Sequence, residues 1–158
     1  MASLVDTNVL VYCFDPGDGD KQHIAESVLR DGLRDESLVL PHQAIVELIP
    51  ALTRPRPDLN GAGLLSMQEA GIVAESLMAQ FPVVYPTQDV LVAAVRGAGA
   101  YSLSWFDAHL WAYAEVFGIP EILSEDFEHG RRYGSVRVRD PFLAAADRLH
   151  ELPRLYGA

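Results

Sequence analysis

Several features that mark other protein classes are scarce in this 158-residue sequence. It has one cysteine, Cys13, which excludes an intrachain disulfide and fits a reducing cytoplasm; we expect this thiol to be packed rather than reactive. No apolar run approaches the roughly 20 residues that span a bilayer, and the N-terminus lacks the basic segment of a signal peptide. We therefore expect a globular cytoplasmic protein with no membrane association.

Positive charge is scarce as well. Lys21 is the only lysine, and 12 basic residues stand against 22 acidic ones, which gives a formal net charge of −10. Such a chain is poorly suited to nonspecific adhesion to nucleic acid, which depends on neutralising phosphates. The balance favours a basic partner or a cation bound among clustered acids, although most charges are expected at the solvated surface.

Short apolar runs alternate with helical patterns along the chain. Strands are predicted at residues 4–6, 37–40, 83–85, 122–123 and 136–139, the last as an edge strand. Helices are predicted at residues 21–34, from 41 onward, and at 64–81, 88–99, 104–118 and 140–153. Strand–helix alternation implies a parallel sheet covered on both faces. We predict one α/β domain over residues 1–158, with three α/β/α layers, about five mainly parallel strands, and the first strand in the middle.

Two acids follow predicted strands. Asp6 ends the first strand, with Thr7 or Asn8 expected to cap the turn or short helix that follows, and Asp126 stands just past the run 122–123. Ligands of open parallel sheets bind beyond the carboxyl ends of the strands. A buried, unpaired carboxylate is costly, so we expect a metal or neutralisation at Asp6. Taken alone, Asp126 is more typical of a turn residue that follows a strand.

Two more acids lie on otherwise apolar helix stripes. Asp107 shares a stripe with Leu110 and Trp111, although it could simply complete a capping box at the helix start. Glu47 lies on the inner face of the second long helix, where Pro50 is expected to bend the helix beside it. The alternative for Glu47 is an edge position from which it reaches solvent.

Four carboxylates brought together raise one another's pKa unless a cation joins them. All-oxygen ligands suit Mg²⁺ or Mn²⁺ rather than zinc. Such ions lower the pKa of bound water and stabilise charge on a phosphate, so metal-assisted phosphodiester hydrolysis is the favoured chemistry. Two alternatives stay open: a binding module or scaffold that has kept the acids, and a hydrolase of small phosphoesters, which would usually need an acid where Asn8 stands.

Four blocks of the sequence resemble the PIN domain, and within it the VapC-type toxin ribonucleases of bacterial toxin–antitoxin pairs. They are Leu-Val-Asp-Thr-Asn-Val-Leu-Val at 4–11, Ala-Ile-Val-Glu-Leu at 44–48, Leu-Ser-Trp-Phe-Asp-Ala-His-Leu at 103–110, and Leu-Ser-Glu-Asp-Phe-Glu-His-Gly at 123–130. The resemblance implies an α/β/α fold, endoribonuclease activity that depends on Mg²⁺ or Mn²⁺, a homodimer, and inhibition by a small antitoxin with a basic segment.

The resemblance also implies roles for individual residues. The metal-binding and catalytic acids would be Asp6, Glu47, Asp107 and Asp126. Supporting hydrogen bonds would come from Thr7, Asn8 and Ser124, and Glu125 would be an alternative metal ligand beside Asp126.

RNA contacts are expected from the one evident basic cluster, which comprises Arg131, Arg132, Arg137 and Arg139. Within this cluster, Arg131 and Arg132 are the expected RNA-binding residues. Successive residues of a strand face opposite sides, so a strand does not present the whole cluster to one surface. The alternative is a solvated edge strand that carries charge to prevent aggregation.

Overall fold

A computed structural model describes residues 1–143 of the chain. The predicted C-terminal helix lies almost entirely outside these residues. In chain order the elements are β1 (Ser3–Val5), α1 (Thr7–Tyr12), α2 (Gly19–Asp35), β2 (Leu38–Pro41), α3 (His42–Thr53), a 3-10 turn (Pro57–Leu59), α4 (Met67–Gln80), β3 (Val83–Val84), α5 (Gln88–Tyr101), α6 (Trp105–Phe117), β4 (Glu121–Leu123), β5 (Arg132–Tyr133) and β6 (Val136–Arg139). No helix within residues 1–143 has the length and apolar character needed to cross a membrane.

The strands form one six-stranded sheet in the order β3-β2-β1-β4-β6-β5. Every pairing is parallel except that of β5 with β6. The predicted mainly parallel sheet is confirmed, with six strands rather than about five, and β1 lies inside it as expected. This places Asp6, which follows β1, at an interior position of the sheet.

The predicted edge position of residues 136–139 is wrong. β6 lies between β4 and β5, and its side chains Val136 and Val138 are fully buried. The chain turns back at Gly134, which adopts the left-handed φ of 60°, so Arg132–Tyr133 pairs antiparallel outside β6. The two-residue strand β5 is too short to give an alternation signal in the sequence.

Helices cover both faces of the sheet. Leu4 and Val5 are neighbours in β1 and point to opposite faces, and both are fully buried. Val5 belongs to a core with residues of α1 to α4, whereas Leu4 belongs to a second core with residues of α5 and α6. This arrangement confirms the three-layer α/β/α prediction.

Two predicted helix starts are one residue off. The cap of α1 is Asp6 rather than Thr7 or Asn8, because the Asp6 carboxylate accepts a hydrogen bond from the backbone N–H of Thr7. Pro41, expected in the first turn of α3, instead ends β2 with an extended backbone, and α3 begins at His42. β1 ends at Val5, one residue before its predicted end, so α1 begins earlier, whereas β2 continues to Pro41, one residue past its predicted end, so α3 begins later.

The order of the strands reverses direction between β1 and β4. The chain leaves β1 to form β2 on one side, while β4 and β6 extend the sheet on the other. The strand ends are joined by a hydrogen bond of 3.0 Å from the Asp6 backbone N–H to the Leu123 carbonyl. A crevice at such a switch point is where open α/β sheets bind ligands.

Candidate active site

Asp6 is held at the end of β1 by three hydrogen bonds. One carboxylate oxygen accepts from the Thr7 backbone N–H at 2.6 Å, and the other accepts from the Ser124 hydroxyl at 2.6 Å and the Asn8 amide at 3.2 Å. Burial raises the pKa of Asp6 to about 7, against the lowering effect of the Ser124 and Thr7 bonds, and the carboxylates of Asp126 and Glu47 raise it further. The cost expected for an ionised carboxylate at this buried strand end therefore appears as a raised pKa.

Glu47 faces the same crevice from α3. One oxygen accepts from the Thr7 hydroxyl at 2.9 Å, and the other accepts from the Gln43 amide at 3.0 Å. The side chain is half-buried and tied down, so it does not simply extend into solvent. α3 continues through Pro50 to Thr53, so the proline does not end the helix that carries Glu47.

Asp107 lies in the first turn of α6 on the predicted stripe, and Leu110 and Trp111 on that stripe are buried. The Ser104 hydroxyl accepts from the Asp107 backbone N–H at 3.3 Å, but the reciprocal bond of a complete capping box is not among the bonds within residues 1–143. Burial raises the pKa of Asp107, contact with Ser104 partly offsets this, and Asp126 and Glu47 raise the pKa further.

The segment after β4 supplies Ser124, Glu125 and Asp126. Ser124 is fully buried, and its hydroxyl, besides donating to Asp6, accepts from the Asp126 backbone N–H at 3.1 Å. Both oxygens of Glu125 are engaged, one by the Tyr12 hydroxyl at 2.7 Å and the other by the Lys21 ammonium at 2.8 Å. Asp126 is exposed and faces the other acids, whereas Glu125 is occupied by an ion pair.

Four elements thus bring the four predicted acids into electrostatic contact, since Asp126 and Glu47 act on both Asp6 and Asp107. Among residues 1–143, however, no three Asp, Glu, His or Cys side chains stand close enough to form the ligands of one ion. The buried Asn8 Oδ1 beside Asp6 has no hydrogen-bond partner in that part of the chain. Carboxylates and an unsatisfied amide oxygen are donors that suit a hard divalent cation, so the residues fit Mg²⁺ or Mn²⁺ in chemistry and charge, and side-chain shifts would complete the ligand set.

A groove of about 790 Å³ runs alongside the acids. Two basic residues that sequence reasoning passed over line it, Arg54 and Arg56, which follow α3 in a proline-rich connector. Arg56 pairs with Asp15 at 2.9 Å and Asp58 at 2.7 Å, while Arg54 is exposed and forms no ion pair with any residue from 1 to 143. The signal in the sequence was their position just past the helix that carries Glu47.

Arg131 and Arg132 lie elsewhere. Arg131 pairs with Glu128 at 3.1 Å and stacks on the Tyr133 ring at 4.7 Å. Arg132 is on β5, the outermost strand, three positions from β1 in the sheet. The structure does not bring them to the groove, and their contact with RNA stays a prediction.

Comparison with known proteins agrees with this geometry. The sequence profile of the PIN domain matches residues 3–135, a region that contains all four acids. The chain belongs to the PIN domain family. No curated protein matches the sequence.

Solved structures similar to this PIN domain share its fold at low sequence identity. A toxin–antitoxin complex from Klebsiella pneumoniae has a TM-score of 0.59 and 17% identity, covering 89% of this chain and 98% of its own. The structure of FitAB bound to the IR36 DNA fragment has a TM-score of 0.57 and 18% identity, covering 88% and 94%. The Mycobacterium tuberculosis toxin VapC20, described as cleaving the sarcin–ricin loop, has a TM-score of 0.52 and 16% identity, covering 79% and 92%.

Proposed function

We propose that this PIN domain is a divalent-metal-dependent endoribonuclease that acts as the toxin of a toxin–antitoxin pair. The observation that carries the proposal is the gathering of Asp6, Glu47, Asp107 and Asp126 from four separate elements at the carboxyl ends of β1 and β4. Like charges that share one crevice are tolerated when a cation or a proton offsets their repulsion. The similarity in fold to VapC20, an RNA-cleaving toxin by its description, supports the same conclusion.

Mg²⁺ or Mn²⁺ would be held by Asp6, Asp107 and Asp126 with Glu47, and when bound it would activate water and stabilise charge on the scissile phosphate. The chain's own residues orient these acids. Ser124 and Asn8 fix one oxygen of Asp6, and Thr7 links Asp6 to Glu47 through its backbone N–H and its hydroxyl. These bonds hold the carboxylates in fixed orientations, which reduces the reorganisation needed during the reaction.

The groove beside the acids is the proposed path of the RNA. Its wall carries Arg54, whose guanidinium is exposed and forms no ion pair within residues 1–143, and Arg56, which shares its charge with two aspartates. A guanidinium binds phosphate oxygens through two parallel hydrogen bonds. Arg54 is therefore the strongest candidate in the groove for holding the RNA backbone next to the acids.

We also propose that the protein forms one domain over residues 1–158, that it is a cytoplasmic homodimer, and that its partner is a small antitoxin with a basic segment. An acidic groove and a net charge of −10 favour a basic partner. The Klebsiella pneumoniae toxin–antitoxin complex, which has a similar fold, supports the antitoxin. Light scattering tests the dimer, and an upstream reading frame for a short protein with a basic tail tests the partner.

The function is tested by digesting single-stranded and structured RNA with the purified protein in Mg²⁺, in Mn²⁺ and in chelator. We expect cleavage only with metal, and its loss in Asp6→Asn and in Asp107→Asn. Asp89→Asn is the matched control, because Asp89 is exposed in the first turn of α5 and lies outside the groove. Cleavage in chelator, or undiminished cleavage in either site variant, contradicts the proposal.

One observation favours the alternative of a catalytically weak binding module. No three potential ligands within residues 1–143 already form a metal-binding group. Under this alternative the protein binds Mg²⁺ or RNA yet leaves every RNA intact in the same digestion. The digestion therefore separates the two functions directly.

A further inference from the structure

One side-chain amide joins the two helices that carry Glu47 and Asp107. Gln43 lies one turn before Glu47 in α3, and its Nε2 donates to Glu47 Oε1 at 3.0 Å. The same nitrogen donates to the backbone carbonyl of Phe106 at 3.0 Å. Phe106 directly precedes Asp107 in α6, so the amide bridges the backbone at one acid to the carboxylate of the other.

A third bond sets the orientation of this amide. Gln43 Oε1 lies 2.8 Å from Nδ1 of His109, and the His109 ring is edge-on to Tyr113 with centroids 5.1 Å apart. Both amide hydrogens are used by oxygen acceptors, so Gln43 Oε1 is the acceptor and His109 Nδ1 carries the hydrogen. Neutral His109 is then the Nδ1–H tautomer. The network uses both polar heavy atoms of the Gln43 side chain, because Nε2 donates two hydrogen bonds and Oε1 accepts one.

The bridge formed by the Gln43 amide matters because the Glu47 carboxylate accepts one other hydrogen bond within residues 1–143. Thr7 holds one of its oxygens at 2.9 Å, and Gln43 holds the other. Glu47 is only half-buried, and a glutamate side chain released from such bonds regains rotamer freedom. Loss of Gln43 would also remove the direct link between α3 and the first turn of α6.

We propose that Gln43 is a positioning residue of the acidic site, which holds Glu47 in place relative to Asp107, with His109 fixing the orientation of its amide. The inference rests on the proposed metal-dependent function. Residues that orient metal ligands change metal affinity by about 10–100-fold when they are removed. Gln43 is half-exposed, so its loss affects the site more than the stability of the fold.

The test compares Gln43→Met, which keeps length and helix propensity but removes the amide, with Gln80→Met. Gln80 is an exposed glutamine in α4 that donates to Ser76, far from the acids in the chain. Calorimetric titration with Mn²⁺ alone is expected to show affinity weakened 10–100-fold in Gln43→Met and unchanged in Gln80→Met. Melting temperatures in chelator should stay close to that of the unmodified protein for both variants.

A second readout does not depend on metal or activity. Nitrogen-15 NMR of the histidine rings in chelator, at a pH where His109 is neutral, is expected to show the Nδ1–H tautomer in the unmodified protein and its loss in Gln43→Met. Unchanged Mn²⁺ affinity in Gln43→Met overturns the positioning role, and an Nε2–H tautomer in the unmodified protein overturns the amide orientation. Failure of the unmodified protein to bind Mn²⁺ overturns the proposed metal site. The tautomer seen by NMR then shows separately whether the Gln43–His109 hydrogen bond is present.

Discussion

Asp6 is the single residue whose environment conflicts most with its charge. The residue is 6% exposed and has two other carboxylates nearby, while Ser124, Thr7 and Asn8 donate hydrogen bonds to its carboxylate. Burial is the larger effect, and it raises the pKa to about 7. The folded protein therefore keeps a proton on Asp6 in a pH range where the unfolded chain has released it.

We expect this proton to make the metal-free protein less stable as pH rises. The stabilising contribution is complete below the unfolded pKa near 3.8 and is lost as pH rises through about 7, because the folded state binds the extra proton across that window. The whole loss is up to about 4 kcal/mol, and the part that falls between pH 5 and about 7 is roughly 2–3 kcal/mol. Urea unfolding in chelator at pH 5 and pH 8 measures this second part, and added Mg²⁺ should offset it at pH 8.

The matched variant is Asp6→Asn, which cannot ionise at this position. Its free energy of unfolding should vary less between pH 5 and pH 8 than that of the unmodified protein, so that the variant is relatively stabilised at the higher pH. The same pH dependence in both proteins would show that the Asp6 pKa is not raised.

The sequence predicts site residues whose role follows from the local sequence pattern. It does not predict residues whose role depends on contacts between distant parts of the chain. Asp6 and Asp126 follow buried strands, a pattern visible in the sequence. Gln43 and His109 are 66 residues apart, and Lys21 and Glu125 are 104 residues apart. Nothing local indicates that these side chains meet, because the meeting depends on how the helices pack on the sheet.

Among the elements, α5 and α6 form a closely packed pair that positions Asp107. Gly97 of α5 lies directly against the Trp111 ring of α6, where an added Cβ would overlap the ring carbons. The ring is fixed from its other side, because its Nε1 donates to the Tyr133 carbonyl at 2.9 Å. Gly97 is therefore required by close helix–helix contact rather than by its backbone freedom.

Gly97→Ala should destabilise the protein by roughly 1–3 kcal/mol through overpacking. Gly99→Ala, in the same helix with open space around its added Cβ, should be neutral or stabilising by up to about 1 kcal/mol through helix propensity. Urea unfolding gives both values, and tryptophan fluorescence reports the displaced ring. Equal effects of the two substitutions would mean that α5 and α6 are not in close contact at Gly97.

Element boundaries were predictable where a cap fixes them. Thr87 and Ser104 cap the starts of α5 and α6, and Gly118 caps the end of α6 with the left-handed φ of 67°, all as the sequence predicts. β5 was missed because two residues, Arg132 and Tyr133, carry no periodicity. Its pairing with β6 then changed which strand forms the edge of the sheet.

At the scale of the whole molecule, the acids that define the site also repel its proposed substrate. The chain carries a net charge of −10, and within residues 1–143 the groove is lined by Asp15, Glu47, Glu125 and Asp126 with only two arginines. RNA binding should therefore depend on few phosphate contacts and show a shallow dependence on salt. The alternation of strands and helices allowed the three layers to be predicted, but the placement of the arginines depends on the path of the chain after α3.

Arg54→Ala and Arg30→Ala separate a local contact from overall charge, because each changes the net charge from −10 to −11. Arg30 is exposed on α2 and does not line the groove. In an Asp107→Asn background with Mg²⁺, fluorescence anisotropy with labelled single-stranded RNA across a range of salt gives affinity and salt slope. Arg54→Ala should weaken binding and reduce the slope by about 0.7, the value for one lost phosphate contact on a single strand, while Arg30→Ala should leave the slope unchanged.

Arg132→Ala makes a third variant of equal charge, and it tests the RNA contact predicted from the sequence. Arg132 lies on the outermost strand, so RNA that contacts it would have to cross β6 and β4 to reach the acids beside β1. A reduced slope in Arg132→Ala with no change in Arg54→Ala would place the RNA along the β5 edge and contradict the groove. A reduced slope in both would mean that one RNA strand spans both surfaces, because each arginine then neutralises a phosphate of its own.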